Sequence, residues 1–249
     1  MSTPNFCDKY PMITFRAFTE NMAPGHHTDL NPRLWDRDQR LKTEVREALL
    51  RFAKAWVVFA KVPENVVKGT ILVGGSASHY YNEHSDIDVH VIVDIAAMGS
   101  PTLVNDLLRD RKQLWGLKHR VMVKGLPVEP YCQPLGEPFP VGQGVFDLDN
   151  DKWLQKPSQS QYDPSTDVTL DPKIEHWRRV IEKVINQRRS IEDAERVKTR
   201  LARYRAAGLV AHGDAGPENF VFKAIRNMGL ISQLKNYITE LKDGSLSLK

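Results

Sequence analysis

The residues best equipped for chemistry in this chain are Asp86 and Asp88, in the run Ser85-Asp86-Ile87-Asp88-Val89-His90. Side chains two apart on a β-strand point the same way, so two carboxylates at that spacing can share metal ions. Upstream, the branched apolar run Thr70-Ile71-Leu72-Val73 ends in Gly74-Gly75-Ser76. Paired glycines permit a tight turn with outward-facing N–H groups. Placed at the start of a helix, such a turn forms a polyphosphate cradle, to which the Ser76 hydroxyl adds a ligand. A divalent pair on the aspartates would clamp a triphosphate and an attacking hydroxyl for in-line displacement. Gly-Gly-Ser alone is usually a plain turn, and Asp-x-Asp alone is usually a solvated strand face. Their order is what counts: strand, Gly-Gly-Ser, a spacer long enough for a helix, then the Asp-x-Asp strand. Val89, Val91 and Val93 indicate that this second strand is buried on its other side. Holding two acids together against a buried face is costly without a compensating cation.

These motifs resemble the DNA polymerase β-like nucleotidyltransferase superfamily, whose pattern continues with a third carboxylate on a later strand. Glu129, in Pro127-Val128-Glu129-Pro130-Tyr131, is the candidate; Asp147, one strand later, is its competitor. The resemblance implies two magnesium ions (manganese as the alternative) held by Asp86, Asp88 and Glu129. Glu129 would serve the ion that activates the acceptor hydroxyl. Gly74, Gly75 and Ser76 would hold the phosphates. Lys223 could reach a triphosphate from a C-terminal helix, and Asn219 and Arg226 share the face read as polar there.

A second resemblance covers most of the chain, to predicted nucleotidyltransferases encoded by tailed phages. It is carried by Leu30-Asn31-Pro32 with Leu34-Trp35, by the Asp86 and Glu129 strands with Tyr131 and Gln133, and by Pro217-Glu218-Asn219-Phe220 with Phe222-Lys223 and Arg226-Asn227. It implies relatives, and a host cytoplasm if the chain is phage-encoded, but no acceptor.

Several elements must position these residues. Val45, Leu49, Phe52, Ala53 and Trp56 form one helical stripe, and Leu103, Leu107, Leu108, Leu114 and Trp115 predict a helix over 102–117. Residues 121–132 read as a hairpin around Gly125, and 145–148 as a strand closed by Asp149-Asn150-Asp151. A polar stretch from Gln155 to Asp171 follows. Beyond it, Ile174, Trp177, Val180, Ile181, Val184 and Ile185 mark one helix, and Ile191, Ala194, Val197, Leu201 and Tyr204 a second with Gly208 as its stop signal. Another helix starts over Asp214 to Pro217. The expected fold is α+β: a mixed sheet with flanking helices and a C-terminal helical subdomain. Its organisation is an arm at 1–29, a catalytic domain at 30–157, a linker at 158–172 and a helical region at 173–249.

Composition narrows the function classes. At 249 residues with 41% apolar and 27% charged content, the chain suits one or two globular domains. It offers neither a membrane span nor a signal layout, which makes the cytoplasm the expected location. Cys7 and Cys132 match no metal spacing and read as reduced thiols; His79, His84 and His212 match no zinc pattern. The net charge of +4 is a weak lean toward polyanions. Basic residues from Arg178 to Arg205 crowd two helices but are interrupted by Glu182, Glu192, Asp193 and Glu195. They form either a solvated mixed-charge surface or a track for an RNA or DNA backbone.

The function expected is transfer of a nucleoside monophosphate from an NTP to a hydroxyl, with nucleic acid or tRNA 3′ ends ahead as acceptor. Protein or small-molecule nucleotidylation is the alternative within the enzyme class. A non-catalytic nucleotide-binding regulator is the alternative outside it, disfavoured because all three acid positions are filled. Nothing in the sequence sets an oligomeric state.

Overall fold

The computed structural model describes residues 25–83, 85–140, 142–158, 162–164 and 166–247. Most of the expected N-terminal arm, together with Cys7 and His84, lies outside them. Two compact units emerge, one of residues 26–161 and the other containing 162–249.

The first unit is built on a six-stranded sheet of β2 (Val67–Val73), β4 (Ile87–Val93), β5 (Met122–Val123), β6 (Leu126–Pro134), β7 (Val145–Asp147) and β8 (Lys152–Gln155), in the order β5-β6-β4-β2-β7-β8. Only β4 and β6 run parallel; every other neighbouring pair is antiparallel. A parallel neighbour needs a crossover, and the chain uses a helix, α2 (Pro101–Lys118), to make it. A two-residue ribbon joins β1 (Gly25–His26) to β3 (Tyr80–Tyr81). The chain is therefore α+β with a mixed sheet and flanking helices.

One face of the sheet carries the core. Val89, Val91, Val93 and Leu72 are fully buried there, in one cluster with Val45, Leu49, Phe52 and Trp56 of α1 (Thr43–Ala60). Trp56 donates its indole N–H to the buried Cys132 Sγ at 3.3 Å, and burial pushes that thiol's pKa up.

Helix α2 is rotated relative to the stripe read from its leucines. Val104, Leu108 and Trp115 are buried, whereas Leu103 is 70% exposed. The rotation follows from Trp115, whose ring sits edge-on to Phe52, Trp56 and Phe59. One large aromatic outweighs two leucines in deciding which face is covered.

Strand β8 ends at Gln155, the first residue of the polar stretch, in a segment for which the sequence suggests no strand. It pairs with β7 across a turn in which Asp151 takes a left-handed φ of 53°, and Trp153 stacks on Trp35 with ring centroids 4.7 Å apart. Only four residues long and bounded by Lys152 and Gln155, it has too little alternation to announce itself.

The helical unit comprises α3 (Leu170–Asn186), α4 (Ile191–His212), α5 (Pro217–Asn227) and α6 (Leu230–Leu246). Gly208 is no stop signal: α4 continues to His212. A Cβ on Gly208 would meet the Glu218 Cβ at 2.3 Å, so the glycine lets two segments approach closely. The break that periodicity missed is Gly229, whose φ of 75° separates α5 from α6. Among the described residues no helix is long and apolar enough to cross a membrane.

Candidate active site

Strand register assembles the acids. Asp88 on β4 lies opposite Val73 of β2 on one side and opposite Glu129 of β6 on the other. The last residue before Gly74, the second aspartate and the glutamate thus stand abreast on three adjacent strands. Strands sit roughly 4.8 Å apart, close enough for carboxylates on neighbours to converge. Asp86, one residue before β4, shares Asp88's side by alternation. Ligand atoms of Asp86, Asp88 and Glu129 all lie within 4.8 Å of one another. The two aspartates are half-buried and Glu129 is exposed.

Three carboxylates so close repel each other unless a cation joins them. Part of that charge is met by Lys112 of α2, whose Nζ lies 3.1 Å from Glu129 Oε2. The donor set is all hard oxygen, which suits magnesium or manganese and not the thiol- and imidazole-seeking metals. The competitor Asp147 is occupied elsewhere. Its carboxylate accepts from the amides of Asp149 and Asn150 and from the Asn150 side chain, closing the β7–β8 turn.

Gly74 is required by geometry. Its φ of 77° with ψ of −157° is a conformation that only glycine adopts easily. A Cβ there would lie 2.2 Å from Asp88 Oδ2. Backbone and carboxylate are therefore in direct apposition.

The segment after Gly74 differs from the expected helix. Gly75–Ala77 is a single 3-10 turn, followed by Ser78 in extended conformation and the short β3. No α-helix dipole stands behind the glycines. The spacer between the two motifs is filled by that turn and ribbon instead.

Ser76 is also placed differently from expectation. It is completely buried, and its hydroxyl donates to the Asp86 carbonyl at 2.6 Å. Its own carbonyl accepts the Trp35 indole N–H at 2.8 Å. Trp35 closes the Leu30-to-Trp35 motif, with Leu34 and Trp35 almost wholly buried. The motif is visible in the sequence; its task of clamping the turn from which Ser76 holds Asp86 is not. Gly144 escapes sequence reasoning as well: a Cβ there would meet the Ala77 carbonyl oxygen at 1.8 Å, so the chain before β7 lies directly on the same turn. Ser76→Ala is expected to cost about 1–2 kcal/mol in a urea titration, because the Asp86 carbonyl loses its donor. A change below a few tenths of a kcal/mol would show that the hydroxyl does not hold Asp86.

One rung further along the same face, His90 meets Gln133 Oε1 through Nδ1 at 2.8 Å and tilts against the Tyr131 ring. Burial pushes its pKa down to about 4, so the ring is neutral near pH 7. It stands beside the acids without joining their cluster.

The remaining candidates belong to the helical unit. Asn219, read on a polar face, is fully buried, and its side-chain oxygen accepts from Arg205 Nε at 3.1 Å. The close packing of α5 against its neighbours turns that residue inward. Lys223 is half-buried with its ammonium 5.9 Å from the Phe220 ring centre, and Arg226 is exposed. His212 pairs with Glu218 at 3.2 Å, and His79 is buried.

No family model matches the chain, and no curated protein does. Among solved structures, a STING-associated CdnE c-di-GMP synthase from Capnocytophaga granulosa aligns over 82% of this chain and 84% of that one, at 10% identity and a TM-score of 0.23. Values that low decide nothing about chemistry, which rests on the site itself.

Proposed function

We propose that the sheet unit is a metal-dependent nucleotidyltransferase, moving a nucleoside monophosphate from an NTP to an acceptor hydroxyl and releasing pyrophosphate. The observation that carries this reading is the meeting of Asp86, Asp88 and Glu129 within 4.8 Å, hard against a glycine whose backbone touches the Asp88 carboxylate. An isolated acidic cluster would suit many roles. One joined to a Gly-Gly turn suits a substrate that brings both phosphates and a cation.

Asp86, Asp88 and Glu129 would hold a pair of magnesium ions, with manganese as substitute. Bound there, the metal would neutralise the polyphosphate and make the acceptor hydroxyl easier to deprotonate. The backbone amides of Gly75 and Ser76 are the proposed donors to the β- and γ-phosphates. The Ser76 hydroxyl, committed to Asp86, contributes through position. In the transfer, the acceptor oxygen bonds to the α-phosphorus and the α–β anhydride bond breaks. Pyrophosphate leaves with the electron pair, and the hydroxyl proton passes to Glu129 or to solvent. Most of the acceleration on this reading comes from positioning and charge stabilisation.

The acceptor is proposed to be a hydroxyl of nucleic acid, RNA 3′ ends included. The test is transfer of label from each α-labelled NTP with magnesium or manganese into total RNA and into protein extract, with Asp86→Ala/Asp88→Ala as control. Label in RNA that disappears in the double variant supports both the reaction and the acceptor. Label in the protein fraction keeps the reaction and replaces the acceptor. Magnesium-dependent NTP binding without incorporation anywhere would sink the catalytic reading in favour of a nucleotide-binding regulator.

A further inference from the structure

The helical unit has a second concentration of chemistry, made of cations and rings. A cavity of about 560 Å³ opens between α3 and α4, lined by Lys173, His176, Trp177, Arg200, Arg203 and Tyr204. A second groove of about 410 Å³ shares Pro172 and His176 with it and continues past Lys183 and the paired Glu175 and Arg179.

The charges around these grooves fall into two groups. Arg178 is locked between Glu175 and Glu182, Arg179 is paired to Glu175, Arg196 to Asp193, Arg188 to Glu240 and Lys242 to Glu195. Those residues form the mixed-charge surface that α3 and α4 would be expected to show. Lys173, Lys183, Arg200 and Arg203, by contrast, make no salt bridge among the described residues. Lys173, Arg200 and Arg203 line the first groove, and Lys183 lines the second.

Two further features point to a ligand. The Tyr204 hydroxyl is buried and has no hydrogen-bond partner among the described residues. Burial first, and then the charges of Glu218 and Asp167, push its pKa up to about 12, so it remains a donor. A buried donor normally has an acceptor, and none is found among the described residues. Arg200 lies over the Trp177 ring, its guanidinium carbon 5.6 Å from the centroid. A guanidinium over an indole can still direct N–H groups at phosphate oxygens, and the ring is a surface on which a base can stack.

We infer that these joined grooves bind a single-stranded stretch of nucleic acid. Lys173, Arg200 and Arg203 receive its phosphates, and the Tyr204 hydroxyl donates to it. The length of the track favours a polynucleotide over a mononucleotide: Lys183 lies in the second groove, where a mononucleotide in the first would leave it unused. The inference deepens the proposed transfer by naming the partner, and rests on that reading only for the strand's role as acceptor.

The test is fluorescence anisotropy of end-labelled single-stranded RNA and DNA of one sequence, with the full chain, at rising KCl and without NTP or metal. Arg200→Ala/Arg203→Ala is expected to weaken binding at least about tenfold at low salt. It should also flatten the log–log salt slope by about 1.4, the contribution of two phosphate contacts to a single strand. Arg200→Lys/Arg203→Lys should restore most of the slope, Tyr204→Phe should weaken binding several-fold, and Arg196→Ala, on the same helix but paired, should change nothing. Circular dichroism melts show that each variant is folded. RNA and DNA binding alike identifies a backbone site, and RNA preference identifies a ribose contact; either supports the groove. Equal affinity and slope in the double alanine variant would overturn the inference, as would no strand binding by the native chain, full displacement by free ATP, or preference for duplex. Asp86→Asn/Asp88→Asn is expected to keep its strand affinity while losing transfer, so failure of the groove and failure of the catalytic reading are separately visible.

Discussion

Asp88→Asn is expected to lower the proposed nucleotidyl transfer by at least about 10³-fold while leaving the protein folded. The substitution keeps the side chain's shape, and an asparagine still fits under Gly74. What disappears is one of three negative charges gathered within 4.8 Å. Metal coordination at such sites supplies several kcal/mol of transition-state stabilisation, and roughly 4 kcal/mol corresponds to about 10³ in rate. The check pairs a rate with a melt. Native protein should melt higher as magnesium or manganese is added, by the mass action of a ligand that binds only the folded state. Asp88→Asn should lose most of that shift. An unaltered metal-dependent shift would mean that the three acids are not the ligands, whatever the activity does.

Gly74→Ala should be nearly as damaging for a different reason. Alanine is strained at φ 77°, ψ −157°, at a cost of about 1–3 kcal/mol. Its methyl would also lie 2.2 Å from Asp88 Oδ2 and 3.1 Å from Cγ. Either the turn or the carboxylate has to move, so transfer should fall to the level of the acid variants with stability reduced by about 2 kcal/mol or more. Gly116→Ala is the matched control. It lies inside α2 with nothing within 4 Å of its would-be Cβ, so alanine should stabilise the helix by up to about 1 kcal/mol and leave transfer intact. A Gly74→Ala protein that keeps native transfer would show that the glycine is not needed where it touches Asp88.

Both effects trace to features with different visibility. Spacing along one strand depends on local geometry, which is why Asp86, Asp88 and the buried face of Val89, Val91 and Val93 are legible in the amino-acid pattern alone. The choice of Glu129 over Asp147 is legible there only as a resemblance. It becomes geometry because β6 runs parallel to β4 with Asp88 opposite Glu129, while Asp147 closes its own turn. Helix α1 is readable because its stripe is regular. Helix α2 is readable as a helix but not in its rotation, which a tryptophan cluster sets. Gly208 misleads because a glycine admitting a close neighbour is the same letter as a glycine ending a helix.

By itself, then, the sequence determined the α+β class, most of the elements and the acid pair, because periodicity of two and of 3.6 is imposed by backbone geometry over a few residues. Tertiary structure alone decided three things. Ser76 turned inward to hold Asp86 instead of outward to a ligand, Trp35 reached across the chain to hold Ser76, and Lys173, Arg200 and Arg203 were left without a salt bridge among the described residues while Arg178 and Arg196 were paired. Each depends on which distant groups arrive at one place, and register and close packing settle that over separations no local pattern spans.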